Sequence, residues 1–238
     1  MKKILEICCD GIESVMAAKA GGADRIELCA NLDQGGTTPS AGLIQLAVEQ
    51  SELPVFVLIR PRPGDFCYSQ LEFEQMLCDI RLARQHGAAG IVSGILMPDH
   101  SVDRQRTRQL IHLSRPLPFT FHRAFDRCMD PLTQLNTLIG LGVDRLLTSG
   151  QAPSAPEGRE QLQRLQQIAS GKLTILAGGG IRPSNLNDLL EVEELSEFHS
   201  SARVAIAEGA SSIPGLNDDR QGVSSDLVRS LRQLLDNS

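Results

Sequence analysis

Tryptophan is absent from the 238 residues, and tyrosine occurs once, at Tyr68. Aromatic residues make up 3% of the chain, so its core must be aliphatic. Lysine is scarce too: Lys2, Lys3, Lys19 and Lys172 are all of it. None of them ends a predicted strand, which argues against Schiff-base aldolase chemistry, because that needs a lysine nucleophile. No run of 18 apolar residues occurs, so no membrane span is expected. An excess of basic charge is also missing. Twenty-three Lys and Arg against 29 Asp and Glu leave a net charge of −6, whereas general nucleic-acid binding needs a basic surface. There is no C-x-x-C pair among Cys8, Cys9, Cys29, Cys67, Cys78 and Cys128, so neither a zinc ribbon nor a thioredoxin motif is offered. Met1-Lys2-Lys3-Ile4-Leu5 meets Glu6 too soon for a signal peptide, which makes a cytoplasmic location the expectation.

What is present is a regular alternation. Short apolar runs at about 3–9, 24–30, 54–60, 90–96, 118–123, 144–149, 173–177 and 195–200 read as strands. Between them lie helical stretches at about 11–21, after Ser40, and at 71–86, 102–113, 131–140 and 157–169. A short helix follows Arg182-Pro183, and a last one covers about 225–236. Eight βα units in order need a parallel sheet with right-handed crossovers, and a TIM barrel takes about 250 residues for them. The rival, an open doubly wound sheet, would show G-x-G-x-x-G after an early strand, and Cys8-Cys9-Asp10-Gly11 does not match it. The expectation is therefore an α/β chain, a (βα)8 TIM barrel forming one domain over 1–238. In that reading 204–223 is a long loop after strand eight and 224–238 a C-terminal helix.

Active sites of such barrels sit at the C-terminal strand ends. Alternation along strand one puts Glu6 and Cys8 on the lumen face, and the same phase in strand two gives Glu27 and Cys29. Strand five ends in His122, at the head of His-Arg-Ala-Phe-Asp with Asp126 four residues on, and strand eight carries His199. Imidazoles suit acid/base work near neutral pH, so Glu6, Glu27, His122 and His199 form a candidate catalytic set. The plainer reading is a buried ion network of Glu6, Glu27 and Arg60 that closes the barrel. Arg60 and Arg62 bracket a proline at the third strand end and resemble an anion clamp. Thr148 and Ser149 end strand six. Gly178, Gly179 and Gly180 end strand seven, where backbone N–H groups and a following helix N-terminus can face an anion. Ser200 and Ser201 add hydroxyls, and Arg182 or Arg203 adds charge.

Cys8 and Cys29 share a phase on neighbouring strands about 4.8 Å apart. Two soft thiolates suit Cu(I), with Cys67 as a possible third sulfur above them. Buried free cysteines are also common as inert core residues. A hard-ligand metal site from Glu6, Glu27, His122 and His199 is a further option. No organic cofactor is indicated.

The runs Glu6-Ile7-Cys8, Gly22-Ala23-Asp24-Arg25-Ile26-Glu27-Leu28-Cys29, Gly35-Gly36-Thr37-Thr38-Pro39-Ser40, Arg60-Pro61-Arg62, Gly64-Asp65-Phe66 and Tyr68-Ser69 resemble the CutC family, known as copper homeostasis proteins. So do Thr120-Phe121-His122-Arg123-Ala124-Phe125-Asp126, Leu147-Thr148-Ser149-Gly150-Gln151 and Glu197-Phe198-His199-Ser200-Ser201-Ala202. The resemblance covers about 4–203. It implies a cytoplasmic TIM barrel, usually a homo-oligomer, with Cu(I) binding proposed at the positions of Cys8 and Cys29. Pro63 departs from the Gly that usually follows Arg-Pro-Arg, and the stretch after Ala202 matches poorly. Two functions follow for the barrel mouth: copper binding through the cysteines, or acid/base catalysis on a small phosphorylated or carboxylated substrate. The partner is then a copper ion or a small anion, with no nucleic acid and no membrane.

Overall fold

Residues 2–206 and 220–238 are described by the computed structural model. Eight parallel strands close on themselves in chain order. They are β1 (Ile4–Cys9), β2 (Arg25–Leu28), β3 (Val55–Leu58), β4 (Gly90–Ser93), β5 (Phe119–Phe121), β6 (Arg145–Thr148), β7 (Thr174–Gly178) and β8 (Glu197–Ser200). The last strand returns to the first with Ile4 opposite Glu197 and Glu6 opposite His199. Six of the intervening helices are α1 (Ile12–Gly21), α2 (Ala41–Ser51), α3 (Gln70–Gln85), α4 (Arg104–Ser114), α5 (Pro131–Leu141) and α6 (Arg159–Ala169). Then come α7 (Leu186–Leu190) and, at the C-terminal end, α8 (Ser225–Asp236). The (βα)8 barrel expected from the alternation is the fold.

Local signals explain the helix limits. Ser40 caps α2 by accepting from the Leu43 N–H, and Ser69 and Glu72 form a reciprocal capping box at α3. Gly22 ends α1 in the left-handed region at φ 90°, where a side chain would be strained. Two limits differ from expectation. The helix after β7 begins only at Leu186, so Pro183 lies in the preceding turn and not in the helix. With five residues it offers no helix N-terminus for an anion. Second, the ends of the expected 204–223 loop are strands: β9 (Arg203–Ile206) pairs antiparallel with β10 (Arg220–Val223). The rest of that loop lies outside the described residues.

Two packing layers result. Leu5, Ile7, Ile26 and Leu28 face the helices and pack with Val15, Ala18 and Ile44. Cys8, Cys29, Phe56, Leu58 and Val92 fill the lumen. Beneath them the lumen is ionic. Arg25 donates to Glu6 and, at 2.6 Å, to Glu197, which also accepts from Arg145 at 2.6 Å. The Phe56 ring carries both guanidinium groups on it, at 4.9 Å and 5.3 Å. Gly90 makes room for that ring, since a Cβ there would stand 2.5 Å from it. The buried network therefore runs through Arg25 rather than Arg60, and Glu27 takes no part in it. Among the described residues, no helix is long and apolar enough to cross a membrane.

Candidate active site

The C-terminal strand ends open into a cavity of about 360 Å³. Cys8, Glu27, Leu58, Leu147 and His199 form its floor. Arg60, Phe66 and His122 stand together on its wall, and Arg123 beside Gly179, with Gly180, Arg182, Ser200, Ser201 and Arg203, completes the lining. Gln221 of β10 reaches the rim.

Strand phase sets the floor. Glu27 and Cys8 are opposite each other in the β1–β2 register, and the Cys8 thiol donates to Glu27 Oε1 at 3.6 Å. Glu27 Oε2 is buried without a hydrogen-bond partner. Burial pushes the Glu27 carboxyl up to about 6, opposed by the His199 charge and the Cys8 contact. Glu6 behaves oppositely. Burial alone would raise its pKa, but Arg25 and His199 outweigh that and hold it at about 2. His199 Nδ1 lies 2.7 Å from Glu6 Oε1. Although burial disfavours its charge, the two glutamates keep the His199 pKa above its ordinary value.

His122 is a different imidazole. Its Nδ1 accepts from the Ala124 N–H at 3.1 Å, capping the 3₁₀ turn Arg123–Arg127. Burial and then the Arg60 charge push its pKa down to about 3, so the ring is neutral. Arg60 is buried and donates to the carbonyls of Gln34, Gly36 and Gly64. It joins the loops after β2 and β3.

Several expected site residues take other places. Arg62 is turned away, pairing with Glu72 at 2.6 Å and Asp65 at 2.9 Å, so it completes no clamp with Arg60. Thr148 and Ser149 do not line the cavity. Their hydroxyls hold Asp126, which pairs with Arg123 at 2.7 Å, and it is Arg123 that faces the cavity. Gly178 lies under Leu147 and His199, leaving Gly179 and Gly180 on the wall. Ser200 donates to the Ile181 carbonyl at 2.8 Å. Cys67 lines a separate groove with Phe73 and Arg106 and is not among the residues lining the cavity that holds Cys8, so the structure does not group it with Cys8 and Cys29.

The sulfurs of Cys8 and Cys29 are 3.6 Å apart. Cys8, Glu27 and His199 each bring a ligand atom within 4.8 Å of the others. Of the hard-ligand set only Glu27 and His199 join this cluster; Glu6 is committed to Arg25 and His199, and His122 lies outside it. The contact with Cys29, followed by burial, pushes the Cys8 thiol well above its ordinary pKa.

Arg25, Arg123 and Asp126 were not singled out as site residues from sequence. Arg25 shares the phase of Glu27 and Cys29, and that phase was its available signal. Arg123 and Asp126 pair three residues apart within one turn, but nothing local marks the hold of Thr148 and Ser149 on Asp126, which depends on β5 and β6 lying side by side.

Fold and mouth together define a (βα)8 barrel with a cationic cavity over a Cys–Glu–His floor. The chain belongs to the CutC family, whose model matches residues 3–204. A human relative named copper homeostasis protein cutC homolog is 50% identical over 200 residues, covering 84% of this chain and 73% of its own. A Chromobacterium violaceum relative, named for the CutC family alone, is 45% identical over 99% of both chains. The crystal structure of a CutC protein from Streptococcus agalactiae has a TM-score of 0.79 at 30% identity, covering 84% of this chain and 98% of that one.

Proposed function

We propose that the protein is an enzyme that uses acid/base chemistry on a small phosphorylated or carboxylated substrate held in the barrel mouth. One observation carries this reading. Arg60 and Arg182 both line the cavity, and among the described residues their partners are backbone carbonyls rather than carboxylates. Guanidinium charge left without a counterion in a concave site favours an anion. Gly179, Gly180 and Ser201 line the same cavity. Across the floor stands Glu27, a carboxyl poised at about 6 with one oxygen free to take a proton.

The test is calorimetric binding of inorganic phosphate to wild type and to Arg182→Gln. Millimolar or tighter binding by wild type, weakened about tenfold in the variant, is expected for loss of one charged hydrogen-bonding partner. Absence of phosphate binding by wild type overturns the reading.

A second reading has its own observation, the 3.6 Å approach of the Cys8 and Cys29 sulfurs beside His199 and Glu27. Soft sulfur and imidazole donors fit Cu(I), and the human relative's name points to copper homeostasis. Binding would release the thiol protons that burial now retains. An anaerobic Cu(I) titration against a strong chelator tests it. Tight stoichiometric binding lost in Cys8→Ser/Cys29→Ser supports a thiolate site, and equal binding by both proteins removes it. We propose a cytoplasmic location, which the free state of all six cysteines suits, and, from the family resemblance alone, a homo-oligomer.

A further inference from the structure

Two residues of the cavity wall, His122 and Arg60, each carry a buried donor with no hydrogen-bond partner among the described residues. His122 accepts at Nδ1, so its proton sits on Nε2, and that atom is buried without a hydrogen bond. Arg60 Nε is in the same condition. The Phe66 ring holds both side chains, 4.9 Å from the His122 ring and 4.9 Å from the Arg60 guanidinium carbon. Unpaired buried donors are costly, so their pairing on one wall marks a place for an acceptor that carries no proton of its own. Among the described residues of the floor, Glu27 Oε2 is a buried acceptor without a partner. A general base, a neutral imidazole donor and a guanidinium around one cavity are the parts needed to ionise a C–H bond beside a carbonyl. The cavity wall contains no lysine, so the carbonyl is not activated as an imine.

We infer that His122 and Arg60 hold the carbonyl oxygen of a small phosphorylated carbonyl compound, and then the oxyanion formed when Glu27 removes a proton from the adjacent carbon. This rests on the anionic-substrate reading above. The Glu27 carboxylate takes the proton, and the C–H electron pair becomes the C=C bond. The carbonyl π pair moves onto oxygen, where the His122 Nε2–H and the Arg60 Nε–H meet it. Returning the proton to carbon or oxygen completes the step with no other reactant. His122 is thus a donor and not the acid/base group that the sequence suggested.

The probes are phosphoglycolohydroxamate, which joins a phosphate to a planar enediolate-like group, 2-hydroxyethyl phosphate, which lacks that group, and inorganic phosphate. Wild type is expected to bind the hydroxamate at least about tenfold more tightly than 2-hydroxyethyl phosphate. His122→Phe is expected to lose that preference while keeping its affinity for 2-hydroxyethyl phosphate, and His122→Gln, which retains an N–H donor, to keep part of it. Nitrogen-15 spectra of wild type supply a readout independent of variant folding. They should show a neutral Nε2–H imidazole at His122 whose proton shifts with the hydroxamate and not with phosphate. Equal affinity for the two organophosphates with an unmoved imidazole overturns this inference while leaving the anion reading intact. If none of the three probes binds, both fall together.

Discussion

Glu6 and Glu27 belong to adjoining strands and share the lumen, yet their carboxyls are driven apart, to about 2 and about 6. Arg25 and His199 charge-pair with the first, while the second has only a thiol donor at 3.6 Å. Such divergence separates a permanent anion from a proton carrier. It also fixes a sign for stability. The folded state holds the Glu27 proton more tightly than the unfolded chain, from 4.5 up to about 6, so the stability this contributes is present at low pH and falls as pH rises through that window. Glu27→Gln cannot titrate, and should gain on wild type by on the order of 2 kcal/mol between about pH 4 and about pH 7.5 in urea unfolding. Arg25→Met should cost about 3–5 kcal/mol in the same assay, because it removes the cation shared by two buried carboxylates and leaves Glu6 to His199 and Glu197 to Arg145 alone. Strand phase was enough to place Glu6, Cys8, Glu27 and Cys29 inward from sequence. Arg62 misled, because a charge two residues past a strand end is governed by its loop neighbours Asp65 and Glu72, and no periodicity records them.

The eight strands were legible because each is a short apolar run between turn residues, and Ser40, Ser69 and Gly22 carry local capping chemistry. The elements that escaped are those set by long-range contacts. The β9–β10 pair joins segments 14 or more residues apart, and the 3₁₀ turn after β5 is held by Thr148 and Ser149 through Asp126 as well as by its own His122 cap. The turn after β7 shows how tightly such an element is fitted. Gly179 has φ 115°, and a Cβ there would lie 3.1 Å from the Arg123 guanidinium carbon and 3.2 Å from Ser149. Gly179→Ala is therefore expected to destabilise by about 1–2 kcal/mol and to displace Arg123. Thermal unfolding checks the first effect, and phosphate affinity by calorimetry the second.

At the scale of the whole molecule, α8 completes the outer ring by packing on α1. At Gly21 a Cβ would stand 2.4 Å from that of Val228, so the two helices touch backbone to side chain. Gly21→Val should prise them apart at a cost of about 1–3 kcal/mol, read from chemical denaturation. The net charge of −6 surrounds a mouth lined by arginines, so an anion is attracted locally against a repulsive background. Added salt should weaken phosphate binding only modestly, because it screens both contributions. The rim itself is held before any ligand arrives. Arg60 spans two loops through three carbonyls at 2.8–3.1 Å, and its Phe66 contact fixes a third group. The conformational entropy of those loops is thus lost during folding and not again on binding. Association with a small anion should accordingly proceed with a near-zero heat-capacity change, and free and occupied forms of the β2 and β3 loops should superimpose.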